Sequence, residues 1–73
     1  MDFIAISIEY KDKTFISDYV EVTDEKVNEI EELVKDGASG RLHYLSLKSA
    51  NKQYSFPSKI LEESIFSIVR KSV

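Results

Sequence analysis

The chain has 73 residues, a formal charge of −3, and no cysteine or tryptophan. Its 42% apolar and 32% charged composition is typical of one folded globular domain, residues 1–73, and excludes a disordered segment or a membrane span. The lack of cysteine excludes thiol catalysis, zinc–thiolate sites and disulfides. A chain this short buries only about 60% of its unfolded surface, which favours association with a second subunit.

The first 22 residues predict a β-hairpin. One strand spans residues 3–10, where large apolar side chains alternate at Ile4, Ile6, Ile8 and Tyr10. The other spans residues 13–22 and is rich in aromatic and β-branched residues. Lys11-Asp12 supplies a two-residue turn, since Asp12 tolerates left-handed backbone angles.

The register of this hairpin decides which side chains enter the core. With a two-residue turn, Phe15 shares a face with the isoleucines, but Val20 and Val22 then point outward. We therefore expect a β-bulge near Ser17-Asp18, because one extra residue returns both valines to the inner face. The alternative is a three-residue turn that buries Ile16 and exposes Phe15.

A helix is predicted next. Thr23 offers an N-cap hydroxyl, acidic residues follow it at the positive end of the helix dipole, and Gly37 is the expected C-cap. Four apolar residues recur at helical spacing and form one buried face: Val27, Ile30, Leu33 and Val34.

A second hairpin is predicted from residues 41–49 and 52–56, with its turn at Ala50-Asn51. A two-residue turn places Leu47 opposite Tyr54. It also gives the hairpin one core-facing side, formed by His43, Leu45, Leu47, Tyr54 and Phe56.

The chain is then predicted to end in a second helix. Pro57 closes the preceding strand and Ser58 is the N-cap. Phe66 lies about 100° around the helix from Ile65 and is expected to face outward. The apolar side of this helix is formed by Ile60, Leu61, Ile65, Ile68 and Val69.

The resulting order is ββαββα. It predicts an α+β two-layer sandwich, in which a four-stranded, mainly antiparallel sheet carries both helices on one face. Residues 6–15 align without gaps on residues 45–54, which suggests an internal duplication. The two ββα units would be residues 1–36 and 41–73, joined by a loop at 37–40.

No residue pattern indicates an enzyme. His43 is the only histidine, so no partner is available for a catalytic triad or a metal site. The acidic residues of the first helix lie on its water-facing side, where carboxylates do not converge. Residues 37–40 match the letters of a GXXG nucleic-acid loop, but they join a helix to a strand instead of two helices. No catalytic, metal or cofactor residue is assigned, and no small-molecule substrate is evident.

The N-terminus shows neither the basic nor the apolar segment of a secretory signal, so the cytoplasm is the expected location. A composition rich in isoleucine, lysine and serine suits a low-GC bacterium or its phage. Charge is uneven along the chain. Residues 1–40 carry four lysines and eleven acidic residues, a net −7, whereas residues 41–73 carry six basic and two acidic residues, a net +4.

Exposed apolar residues give the leading functional hypothesis. An uncovered apolar sheet face is commonly closed by a second copy or a partner protein. We expect a non-enzymatic protein-interaction or regulatory module, forming a homodimer or binding another protein, through Phe3, Ile16, Tyr44, Phe66, Val69 and Val73. A sharper version is an inhibitor whose acidic face imitates a row of phosphates, formed by Glu25, Glu29, Glu32 and Asp36.

The alternative hypothesis is a nucleic-acid-binding domain. Bases would stack on Phe3 and Tyr44, while Arg41, Lys48 and Lys52 would contact phosphates. The acidic isoelectric point, about 5.0, opposes this hypothesis because the protein's overall charge repels phosphates.

Overall fold

A computed structural model describes residues 1–73 as six strands and two helices. The strands are β1 (Asp2–Tyr10), β2 (Lys13–Ile16), β3 (Val20–Glu21), β4 (Tyr44–Ser49), β5 (Lys52–Pro57) and β6 (Ile65–Ser72), and the helices are α1 (Asp24–Ala38) and α2 (Ser58–Glu62). All strand pairs are antiparallel. The chain is a small α+β domain that fits the expected two-layer sandwich. No helix in it is long and apolar enough to cross a membrane.

Strand β1 is the centre of the four-stranded sheet. β6 pairs along one edge of β1, and β2 and β3 share the other edge. Because β1 has neighbours on both sides, it is buried without interruption from Ile4 to Ile8. Ile6 and Ile8 point into the core, as their alternation predicts.

The predicted β-bulge is confirmed. Ser7 pairs with Ile16, and Ile4 pairs with Val20. Between these two pairs β1 has two residues, 5 and 6, and the opposite segment has three, 17–19, so the opposite segment contains one extra residue. This extra residue changes the parity of the strand and turns Val20 to the same face as Ile4.

Ser17 holds the bulge in place. Its Oγ accepts a hydrogen bond from the Ile6 N–H at 3.0 Å, and its own N–H donates to the Ile6 carbonyl at 3.0 Å. The Ser17 Oγ therefore replaces the backbone carbonyl that would accept the Ile6 N–H in a regular strand pair. The two-residue turn is also confirmed, although Lys11, at φ 55°, adopts the left-handed conformation expected of Asp12.

The second layer consists of α1, α2 and the hairpin formed by β4 and β5. The predicted register of that hairpin is confirmed, with Leu47 opposite Tyr54. Asp18 ties it to the bulge, because the Asp18 N–H donates to the Lys48 carbonyl and its Oδ1 accepts from the Ala50 N–H, both at 3.0 Å. The core joining the two layers consists of Ile6, Ile8, Leu45, Leu47, Phe56 and Leu61.

Two local expectations for this layer are wrong. His43 lies before β4 and is exposed, because β4 begins at Tyr44, three residues later than predicted. Gly37 lies inside α1 and is buried, while the left-handed residue beyond the helix is Gly40, at φ 77°. Thr23 caps α1 as expected, since its Oγ1 accepts from the Lys26 N–H at 3.2 Å.

The predicted C-terminal helix is wrong beyond residue 62. α2 has five residues, and the Ser64 hydroxyl donates to the Ile60 carbonyl at its end. The following β-branched residues form β6, which supplies β1 with hydrogen-bond partners along its second edge. Phe66 is consequently not an outward-facing helix residue. It lies opposite Ile8 on the inner face of the sheet and packs against the core.

The four-stranded antiparallel sheet therefore contains β1, β2, β3 and β6, while the second hairpin forms a separate two-stranded sheet. The element order gains β3 and β6 relative to ββαββα. The structure does not show an internal duplication, since the two hairpins continue into different elements.

Replacing Gly37 with alanine tests the inward position of Phe66. An added Cβ would lie 2.8 Å from two ring carbons of Phe66, so the ring must move. We expect Gly37→Ala to lower the free energy of unfolding by about 1 kcal/mol, although alanine normally favours a helix interior. In a Phe66→Leu background the same change should be neutral or stabilising. Urea denaturation of all four proteins gives the coupling free energy, which would be zero if the ring faced solvent.

Replacing Ser17 with alanine tests the bulge. The change leaves the part-buried Ile6 N–H without an acceptor, so we expect a loss of about 1–2 kcal/mol in the free energy of unfolding. Ser17→Thr keeps the oxygen and serves as the control. Equal stability of the alanine and threonine variants in urea denaturation would contradict this role for the hydroxyl.

Candidate interaction surfaces

The outer face of the four-stranded sheet has no helix or hairpin packed over it. Strand pairing puts Phe3, Ala5 and Ser7 of β1 on this face, and Ala5 and Ser7 are buried beneath their larger neighbours. Three expected interface residues share the face, since half-buried Phe3 and Val69 accompany the more exposed Ile16. We call this surface the open face.

One end of the open face is bridged by Lys71. The ammonium of Lys71 lies 4.2 Å from the centre of the Tyr19 ring. Because Lys71 is opposite Phe3 and Phe3 is opposite Glu21, its side chain crosses the sheet from β6 toward β3. This cation–π contact holds Lys71 over its own sheet.

Strand β6 forms the longest free edge of the fold. It pairs with β1 on one side, and no other strand pairs with its outer side. Ile65 and Ile68 are exposed on it, and Val73 is exposed directly beyond it. Met1 joins this region, because its N-terminal amine donates to the Val73 carbonyl at 3.2 Å and its own carbonyl accepts from the Val73 N–H at 2.9 Å.

The other two expected interface residues are separated from the open face. Tyr44 lies on the outer side of the β4–β5 hairpin, where its hydroxyl is 3.1 Å from the Ser55 Oγ. Phe66 packs inward, as described above. The structure therefore divides the six expected residues among the open face, the end of β6, the hairpin and the core.

The expected acidic face follows the solvent side of α1. Glu25, Glu29 and Glu32 are exposed, and Asp36 is half-buried. Lys26 partly neutralises this row, since its Nζ lies 3.5 Å from Glu29 Oε2. No three acidic or histidine side chains converge on a point where they could hold a metal ion.

Of the three basic residues of the nucleic-acid hypothesis, one shares a face with an expected stacking residue. Arg41 lies in the loop before β4, where its Nε donates to Ser39 Oγ at 3.1 Å. Lys48 lies with Tyr44 on the outer side of the second hairpin, whereas Lys52, opposite Ser49, lies on its other side. Phe3 lies on the other sheet, so the two expected stacking residues and the three basic residues are not assembled on one face.

A cleft of about 490 Å³ lies between the first turn and the end of β5. Aromatic side chains form its floor, with the Phe15 ring centre 5.1 Å from that of Tyr54. Lys11 and Lys13 lie at its rim. Sequence reasoning missed this cleft because it treated Phe15 and Tyr54 only as core residues. The signal available was an aromatic residue three positions after each hairpin turn.

No protein-family model, curated protein or solved structure matches this chain.

Proposed function

We propose that this chain is a non-enzymatic protein-interaction module that self-associates in the cytoplasm through the β6 side of its sheet. The carrying observation is the distribution of exposed apolar residues. Six large hydrophobic residues are exposed, and four of them lie on β6 or beside its end: Met1, Ile65, Ile68 and Val73. Single exposed hydrophobic residues are ordinary, but four of them along one strand with a free edge support an interaction surface there.

The degree of exposure supports this surface. Ile65 is 66% exposed, Val73 is 85% exposed and Met1 is 76% exposed. These side chains gain little from the fold of the single chain, so the hydrophobic free energy they offer is available to association. A chain of 73 residues also has a small core, with ten buried residues, and benefits from a second subunit.

Two further surfaces remain free for another protein when β6 is occupied. The open face offers Phe3 and Ile16. The solvent side of α1 offers a row of carboxylates suited to a basic protein surface. In this proposal the module acts by covering a partner's surface, and an inhibitory role against a nucleic-acid-binding protein is its sharper form.

Ile65→Lys tests the proposed surface. Ile65 lies opposite Glu9 on the open face, so lysine gains a favourable cross-strand partner and the fold is preserved. Light scattering over a concentration series should give twice the 8.4 kDa chain mass for the native protein. The dissociation constant of the variant should be at least about 10-fold higher than that of the native protein, since removing this apolar contact costs at least about 1.4 kcal/mol per dimer.

Tyr44→Lys is the matched control, because Tyr44 is 58% exposed on the opposite layer. It should leave the dissociation constant unchanged, and circular dichroism should show both variants folded. A native protein that stays monomeric to about 1 mM, where an association would be worth less than about 4 kcal/mol, would contradict self-association. If Tyr44→Lys alone dissociated the dimer, the interface would lie on the β4–β5 hairpin and the proposed β6 surface would be wrong.

A further inference from the structure

Resting on the proposed self-association, we infer that two copies of this chain join antiparallel along their β6 edges, with Ser67 on the twofold axis. The two four-stranded sheets then become one continuous sheet, and their open faces lie on the same side. The occupant of the free edge is thus a second copy of this chain.

The backbone of β6 presents alternate residues to this edge. Met1 and Val73 exchange hydrogen bonds in both directions, which fixes the phase of the β1–β6 ladder. In an antiparallel ladder such pairs alternate, so odd-numbered residues of β6 bond to β1. The N–H and carbonyl groups of Phe66, Ile68 and Arg70 therefore point away from β1, toward the free edge.

Two other strand edges are less suited to pairing. The edge opposite β6 is divided into four-residue β2 and two-residue β3 by the bulge. A bulge of this kind twists an edge and interrupts its row of hydrogen-bonding groups. The β4 edge is partly occupied, because the Lys48 carbonyl accepts from the Asp18 N–H. β6 offers eight regular residues, with Ile68 still 39% exposed beside α1.

The register follows from matching side chains across the axis. With Ser67 at the centre, Phe66 lies opposite the second copy's Ile68 on the inner face. Ile65 lies opposite the second copy's Val69 on the open face. A shift that centres Ile68 instead places Phe66 opposite arginine, so the apolar pairs favour the Ser67 register.

The charges at the two ends of β6 complement each other in this arrangement. Glu62 and Glu63 lie just before the strand, and Arg70 lies near its other end. The one ion pair within the chain is Lys26–Glu29, so none of these three residues has an ion-pair partner in its own chain. Antiparallel pairing brings the acidic end of each copy to the basic end of the other, twice by symmetry.

The first test removes an outward backbone donor. Ile68→Pro deletes the N–H that would bond to the second copy, while the β1–β6 ladder keeps all its bonds. Two bonds are lost per dimer, so we expect the dissociation constant to rise at least about 30-fold. Ile68→Val keeps the N–H and most of the side chain. It should change the dissociation constant less than about 3-fold, because it removes only one partly buried methylene group.

The second test reverses charge at the ends of β6. Arg70→Glu, and separately Glu62→Lys with Glu63→Lys, should each weaken the dimer about 10-fold, because two attractions become repulsions. The weakening should fade in about 1 M salt, where charges are screened beyond about 3 Å. An equimolar mixture of the two variants should form mixed dimers at native strength, since both contacts are then attractive again. A role in folding alone would not give this recovery.

Each outcome is decisive. If the native protein dimerises but Ile68→Pro and the charge variants leave it intact, the β6 pairing is overturned while the proposed self-association stands. If the native protein is monomeric to about 1 mM, both fail. Hydrogen exchange gives an independent reading, since the amides of Phe66 and Ile68 should become protected as concentration rises, and unchanged exchange would contradict the pairing.

Discussion

The fold depends on β1 having a hydrogen-bonded neighbour on each edge. With β2 and β3 on one side and β6 on the other, every backbone group of its central residues is paired, so this strand can be buried on both faces. Its side chains fit that position. Large isoleucines point to the helices and hairpin, whereas small Ala5 and Ser7 lie on the open face and are covered by adjacent side chains without a second layer.

The bulge is the second constraint, because it lets one continuous segment, β2 followed by β3, pair with the same edge of β1. Without the extra residue, Phe15 and Val20 could not both face the core. Ser17 closes the resulting gap in the ladder, and its neighbour Asp18 fastens the second hairpin to the same place. One irregularity therefore sets the inner face of the large sheet and anchors the smaller one.

The proposed function grows from the same arrangement. β6 provides hydrogen-bond partners for one edge of β1. The N–H and carbonyl groups on the outer edge of β6 have no strand partner of their own. The opposite edge is broken by the bulge and is a poor site for pairing. Four of the six exposed large hydrophobic residues lie on or beside the free edge, where the proposed second copy would place apolar residues and opposite charges against them. The open face, the acidic side of α1 and the aromatic cleft remain accessible in such a dimer.

The sequence by itself determined the two hairpins, their registers, the first helix and the need for a bulge. These features follow from local periodicity, turn length and capping, which involve residues close together in the chain. It also indicated Phe3, Ile16 and Val69 as outward-facing, although Val69 was placed on a helix. The tertiary structure alone decided the fate of residues 65–72. Their apolar spacing suits a helix or a strand, and the choice depends on the unpaired edge of β1, about sixty residues away in sequence. Because these residues form a strand, Phe66 lies in the core against Gly37. The outer side of β6 is then the free edge on which the proposed interface rests.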